Sequence, residues 1–350
     1  MNRSCSVRKY VDLERDVIVK RVSLKRGLLI GLFLLWLAGC SSNPSGSKEA
    51  TSSTPSGGSA LSQRVIAVVS PAKTSPFHVT LAAAAAEEAK RLGLPPIIDQ
   101  APSSESDYTG QVALVQDIIQ RHPAAISVCG INPQALVNII KDCNRADIPI
   151  FVHNQISPVE GGGKVVSYIG YDEYEGGRKC GEEAAELLKQ KYGTYRGNVA
   201  ILDGEPGDHT NLRAGGFKDA LKKYPDIHIV AEQNGHWLRA DGTAITRDWL
   251  QRFPNLDLVF GCSDEMALGA AKAARDAGRQ LLTIGIDGNR PSLEAIRDGK
   301  YTACLATQPD LIGKTVIDTI NDYLNGKKVP PVVKTQCVIV TKANVAQFLK

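Results

Sequence analysis

Asp203-Gly204-Glu205 and Asp208-His209 place carboxylates beside a histidine, an arrangement that could serve acid–base chemistry. A glycosidase needs a second carboxyl group held across the scissile bond, and no other segment supplies one in a matching context. No GxSxG elbow, phosphate-binding loop or GxGxxG opens a helix, and Gly161-Gly162-Gly163 reads as turn material between strands. An enzyme is therefore not the expected reading. The six histidines form no HxH or HExxH, so neither a metal site nor a cofactor is expected. Beyond the first forty residues the cysteines are Cys129, Cys143, Cys180, Cys262, Cys304 and Cys337. They show no CxxC and lie in apolar surroundings, which reads as buried reduced thiols. One or two disulfides stay open, since spacing does not give connectivity.

What could do chemistry sits between elements that alternate with regularity. Apolar or β-branched runs at 64–70, 96–99, 124–129, 148–153, 165–170, 198–203, 227–233, 257–262, 281–287 and 301–307 read as strands. Helical stripes fill 79–92, 108–121, 133–146, 174–192, 211–224, 243–252, 264–277, 291–298 and 309–325. Such alternation means βαβ units and parallel sheets, whose strands are apolar on both faces. Pro158–Gly163 joins two strands with no helix between them, which argues against a closed barrel and for two doubly wound sheets. Ligands of such sheets bind in the crevice outside the carboxyl ends of the strands. The loops there hold aromatic rings, amides and carboxylates.

Charge divides by position. The chain has 41 Lys and Arg against 37 Asp and Glu, but residues 1–40 hold eight basic and three acidic residues. Residues 41–350 thus carry 33 basic and 34 acidic side chains, and the body makes no electrostatic case for nucleic acid. Lys25-Arg26 precedes an apolar run over 27–39, too short to span a bilayer comfortably, that ends Leu37-Ala38-Gly39-Cys40. This resembles the bacterial lipobox, which implies a signal peptide over 1–39 and a lipidated Cys40. Several acyl chains on one residue give a lasting membrane anchor. Residues 40–63, rich in Ser, Gly, Pro and Thr, read as the lipidated cysteine and a flexible tether. The expected location is the cell envelope, on the outer side of the cytoplasmic membrane or in the periplasm.

In order along the body, VIAVVSPAKTSPF, ADIPIFVHNQ, NLRAGGFKDAL, FGCSDEMALGAAKAARDAG, IGIDGNRP and ATQPDLIG resemble segments of bacterial periplasmic sugar-binding proteins of the ribose-binding-like, type I group. The resemblance covers nearly all of residues 64–340. It implies an α/β fold of two Rossmann-like, doubly wound parallel-sheet lobes joined by three hinge crossovers. Lobe one would be 64–171 plus 308–331, and lobe two 172–307 plus 332–350. Regulators that share this fold carry a helix-turn-helix ahead of it; a lipobox stands there instead.

The resemblance also implies roles. Ser75-Pro76-Phe77-His78 matches the family's asparagine-proline-aromatic-aromatic segment, with Phe77 stacking on one ring face of the ligand and His78 in place of a second aromatic. Trp237 matches an aromatic from the opposite lobe. Core packing is the alternative for both Phe77 and Trp237. Asp287 matches the carboxylate that accepts from two hydroxyls; its alternative is capping the helix that begins near Pro291. Asp264 is expected to cap its own helix, leaving Ser263 to face the ligand, while Thr307 or Gln308 contacts it from the last crossover. Asn154-Gln155 stands where the family places an aspartate-arginine pair, and Asn211 where it places an arginine, with Arg213 retained. Cys129-Gly130 replaces a common asparagine. Charge-assisted hydrogen bonds are about twice as strong as neutral ones, so amides in these places imply a more neutral pocket. That favours a neutral polyol, a cyclitol or a differently hydroxylated sugar over ribose. The implied partner is an ABC permease, or in the alternative a membrane histidine kinase or chemoreceptor, served by a monomer.

Overall fold

The computed structural model describes residues 65–349. The expected signal peptide over 1–39, lipidated Cys40 and tether lie outside the described residues. Two six-stranded sheets, each flanked by helices, make up the fold. The first contains β1 (Ile66–Val69), β2 (Ile98–Gln100), β3 (Ala125–Val128), β4 (Ile150–His153), β5 (Ser167–Gly170) and β11 (Val332–Lys334), in the order β11-β5-β4-β3-β1-β2, all parallel. The second contains β6 (Gly197–Asp203), β7 (Ile227–Asn234), β8 (Leu256–Gly261), β9 (Leu282–Asp287), β10 (Ala303–Ala306) and β12 (Val338–Thr341), in the order β12-β10-β9-β8-β6-β7. Only β12 runs antiparallel to its neighbour there. The central strands β1, β3, β4 and β8 are buried at every residue, as strands covered on both faces must be.

The helices are α1 (Pro76–Arg91), α2 (Tyr108–Ile119), α3 (Pro133–Arg145), α4 (Glu173–Tyr192), α5 (Asp208–Leu221), α6 (Arg239–Arg252), α7 (Asp264–Asp276), α8 (Arg290–Arg297) and α9 (Pro309–Leu324). Three begin earlier than the sequence periodicity indicates. Pro76, fitted to the first turn by its fixed φ and missing N–H, starts α1, so Phe77 and His78 belong to a helix rather than a loop. α5 starts at Asp208 rather than residue 211, and α6 at Arg239 rather than 243. A helix's first turn shows no apolar stripe of its own, so periodicity finds such starts late.

The chain passes from the first sheet to the second between β5 and β6 and returns between β10 and α9, which packs on α1. It crosses again between β11 and β12. The expected break between residues 331 and 332 is therefore misplaced, because Val332–Lys334 pairs with β5 and belongs to the first lobe. Both β11 and β12 were absent from the sequence reading. Each is short and partly exposed, without the continuous apolar run that marks the central strands.

α4 and α5 approach each other closely. A Cβ on Gly177 would lie 2.0 Å from the Arg213 carbonyl oxygen, and one on Gly216 would lie 2.0 Å from that of Tyr174. This crossing brings the first residue of α4 against the inward face of α5. The six described cysteines are free, five of them buried and Cys337 half-buried.

Candidate functional site

A cleft of about 620 Å³, its mouth included, opens between the lobes at the carboxyl ends of the strands. Its size suits a small-molecule ligand. The first lobe contributes Pro71 and Ser75 after β1, Phe77 and His78 from the first turn of α1, Glu105 after β2, Cys129–Ile131 after β3 and Asn154 after β4. From the second come Glu205, Gly207, His209 and Arg213 after β6, Trp237 after β7, Ser263 and Glu265 after β8, and Asp287 at the end of β9.

Of the sequence-derived candidates, Ser75, Phe77, His78, Asn154, Arg213, Trp237, Ser263 and Asp287 line this cleft together. Four stand apart. Gln155 is buried and donates through Nε2 to the Ser157 carbonyl at 3.0 Å, bracing its own loop. Asn211 is exposed. With α5 beginning at Asp208, His209 and Arg213 are four residues apart and share a face, while Asn211, two residues from Arg213, points roughly the other way. Thr307 is fully buried and donates from its backbone N–H (2.9 Å) and its hydroxyl (3.1 Å) to the Asp287 carbonyl. Gln308, with a left-handed φ of 57°, donates to the Gln336 carbonyl at 3.4 Å, linking two crossover segments.

The electrostatic centre of the cleft is a residue the sequence did not single out. Glu173, 2% exposed, accepts through Oε1 from His209 Nδ1 at 2.8 Å and from Arg213 Nε at 2.8 Å. Arg213 Nη2 lies 2.8 Å from the same oxygen, and Nη1 donates to the Cys262 carbonyl at 2.9 Å. Burial alone would raise the Glu173 carboxyl, but the two cations hold it below its usual range. Burial would likewise lower His209, yet the charge of Glu173 and the contact with Cys129 push it up to about 10. His209 Nε2 reaches Cys129 Sγ at 3.7 Å, a contact that joins the two lobes across the cleft. His78 and His153 behave oppositely. Burial, with His209 charged nearby, drives His78 well down and His153 to about 3, so both are neutral.

Asp287 has φ of 149°, a conformation that side-chain-bearing residues rarely adopt. Its Oδ2 accepts from the Asp264 backbone N–H at 3.3 Å and from Asn289 Nδ2 at 3.4 Å. Burial raises its carboxyl well above the usual range, the nearby Asp264 adds to this, and Arg213 opposes it. Asp264 does not cap α7 as expected. Ser263 is the cap residue, with Oγ 3.5 Å from the Met266 N–H. Asp264 instead receives Gly288 N–H at 2.9 Å and Tyr301 OH at 3.0 Å, and burial lifts its carboxyl to about 6. It thereby fixes the turn that carries Asp287. α8 begins at Arg290 with Asn289 as its cap residue, so capping is not the role of Asp287.

Trp237 and the preceding His236 both have left-handed φ, 63° and 54°, which aims the indole at the cleft. Its ring lies against Gly204, where a Cβ would come within 1.9 Å of it, and 5.5 Å from the Arg213 guanidinium. Phe77 is 3% exposed and packs in the core while one edge lines the cleft, so its core role and its cleft role coexist.

The lining is less neutral than the amide substitutions implied. Glu105, Glu205 and Glu265 join Asp287, and Arg213 is accompanied by His209. The family resemblance marks none of Glu105, Glu205, Glu265 and His209. Glu105 lies in the polar loop after β2, and following every strand end rather than the familiar ones would have found it.

Two lobes with a polar, aromatic-bearing cleft at the strand ends define a hinge-type ligand-binding protein. The chain belongs to the periplasmic binding protein domain family, which matches residues 66–328. The ribose import binding protein of Bacillus subtilis is 32% identical over 269 residues, 77% of this chain and 84% of that protein. The D-allose-binding periplasmic protein of Escherichia coli is 30% identical over 286 residues, 79% of this chain and 89% of that one. Among solved structures, an ABC transporter solute-binding protein of Actinobacillus succinogenes with bound D-allose matches with a TM-score of 0.75 at 28% identity, covering 81% of this chain and 100% of that one. A second, from Bacillus halodurans with bound myo-inositol, gives 0.74 at 27%, covering 83% and 98%. The family consists of binding proteins.

Proposed function

We propose that this protein is the extracytoplasmic solute-binding component of an ABC importer and takes a sugar or polyol between its lobes. The observation that carries the reading is the convergence of Phe77, Trp237, Arg213 and Asp287, from strand ends of two separate sheets, on one cleft. Aromatic rings meet C–H faces, and carboxylate and guanidinium groups meet hydroxyls. Ligand contacts reach both lobes at once, so binding favours the closed form by its differential affinity for the two states. The closed form is then presented to a permease, with ATP hydrolysed on a separate subunit. Anchoring through a lipidated Cys40 fits the lipobox and keeps the body at the membrane that holds the permease. A sensory role would use the same cleft; import is preferred because relatives on both comparisons are named for transport.

The test is a thermal-shift screen of the purified full-length protein against sugars, polyols, cyclitols and nucleosides. Binding to the folded state raises the melting temperature by mass action. A shift abolished by Trp237→Ala and Asp287→Ala supports the cleft; shifts that survive both variants place the ligand elsewhere.

A further inference from the structure

The hydrogen-bonding capacity left over in the cleft narrows the ligand class, given that the cleft is the binding site proposed above. Its two cations are already engaged by the protein. Arg213 donates to Glu173 and to the Cys262 carbonyl, and His209 uses Nδ1 on Glu173 and Nε2 on Cys129. Several acceptors remain free there, beside donors such as the Trp237 indole N–H. Glu105 lines the cleft and has no hydrogen-bond or ion-pair partner among the described residues. Asp287 has Oδ2 bonded and no partner for Oδ1 among them. Asn154, 3% exposed and also lining the cleft, has an unpartnered Oδ1. His78 Nδ1 is unpartnered too and can serve either way.

The other two carboxylates of the lining are engaged by the protein: Arg239 holds Glu265 through both oxygens, at 2.9 and 2.7 Å, and Glu205 lies 3.6 Å from His236 Nδ1 and accepts from Asn234 Nδ2 at 3.5 Å. An ionised carboxylate accepts and does not donate, whereas Asp287, held toward its protonated form by burial, can do both. A neutral polyol supplies one donor per hydroxyl and no charge, whereas an ammonium supplies three donors and a positive charge for the unpartnered Glu105.

We propose that the cleft selects a polyhydroxylated ligand bearing an amino group, an amino sugar or aminocyclitol, and that Glu105 is the specificity-determining residue that receives the ammonium. Asp287 and Asn154 then take hydroxyls from the other side. The state of Glu105 agrees with this. Burial lifts its carboxyl to about 7, with Glu205 and Glu265 adding to the rise and His209 and Arg213 opposing it. A ligand cation beside it restores the carboxylate, so binding near neutral pH releases a proton from Glu105.

The experiment is isothermal titration of the full-length protein at pH 7.5 with matched sets: galactosamine, galactose and N-acetylgalactosamine; the corresponding glucose set; and an aminocyclitol against myo-inositol. In at least one set the amine binds tenfold or more tighter than its hydroxyl and acetylated counterparts. Glu105→Gln then lowers that ratio at least tenfold and removes the proton release seen on comparing buffers of different ionisation enthalpy. Glu105→Lys, at a side chain with no structural partner, abolishes amine binding. If a neutral member binds and its amine binds no better, the amine proposal fails while the sugar-binding reading stands. An amine preference untouched by Glu105→Gln overturns the assignment to Glu105. If no member of any set binds, both readings fall.

Discussion

Replacing Glu173 by glutamine keeps the shape of the side chain and one acceptor oxygen but removes the charge that holds two buried cations. The rise of His209 from its ordinary value of 6.5 to about 10 corresponds to about 5 kcal/mol in favour of the imidazolium. Without the carboxylate, burial dominates, and His209 should titrate below 6.5 and be neutral at pH 7. Arg213 cannot shed its proton and stays charged, 6% exposed at its side chain. Breaking a buried pair costs about 3–5 kcal/mol; loss of the His209 proton relieves part of that, leaving ~3 kcal/mol. For a chain of this size that lowers the melting temperature by roughly 6–12 °C. The sign of the pH dependence follows from the raised folded value. Stability from His209 is fully present below about pH 6.5 and is lost as pH rises through about 10. The gap between wild type and Glu173→Gln should therefore narrow above pH 10 toward the arginine contribution alone. Two assays check this: melting curves from pH 6 to 10.5, and an NMR titration of the histidine ring signals. The reasoning is refuted if the wild-type His209 signal titrates between pH 6 and 7, or if the two proteins melt together at pH 7.

Gly204→Ala should lower ligand affinity about as much as Trp237→Ala, because the new methyl would sit within 1.9 Å of the indole and push it off the cleft; unchanged titration isotherms would show that the ring is not a ligand contact. Cys129 is 1% exposed and faces His209 across the lobes. In a Cys337→Ser background, saturating ligand should slow its alkylation by iodoacetamide at least tenfold by favouring closure, and equal rates with and without ligand would argue against a hinge. In the ligand-free protein Asp203, raised to about 7, and His209, raised to about 10, keep their protons in the folded state after the unfolded chain has lost them, so stability should fall as pH rises from 6 to 9.5. Asp264, raised to about 6, loses its contribution below that range, where His153 near 3 acts in the opposite sense; a melting temperature higher at pH 9 than at pH 6 would contradict this. Asp287→Asn should weaken binding about a hundredfold yet raise the ligand-free melting temperature at pH 8, since it removes one of two adjacent buried carboxyls; a lower melting temperature there would mean the charge is better solvated than its burial indicates.

The sequence by itself determined the alternation of strands and helices, the open doubly wound architecture and the strand ends at which the cleft had to lie. Those follow from local rules: strands buried on both faces are continuously apolar, and core-facing helices carry a stripe. The resemblance to the family marked Ser75, Phe77, His78, Trp237, Ser263 and Asp287, all of which line the cleft beyond strand ends. Tertiary structure decided the rest. Where α5 begins set which of its residues faces inward, exchanging the expected Asn211 for His209. β11 and β12 exist because β5 and β10 offer edges to pair with, and their own residues are too exposed to announce a strand. Glu173 acquires its role from His209 and Arg213, 36 and 40 residues away, through a helix crossing that two glycines permit. Glu105 meets the cations of the other lobe only through the arrangement of the two lobes about the cleft. Charge in a cleft is a property of what is brought together in space, and periodicity along a chain carries no record of which distant side chains will share one low-dielectric volume.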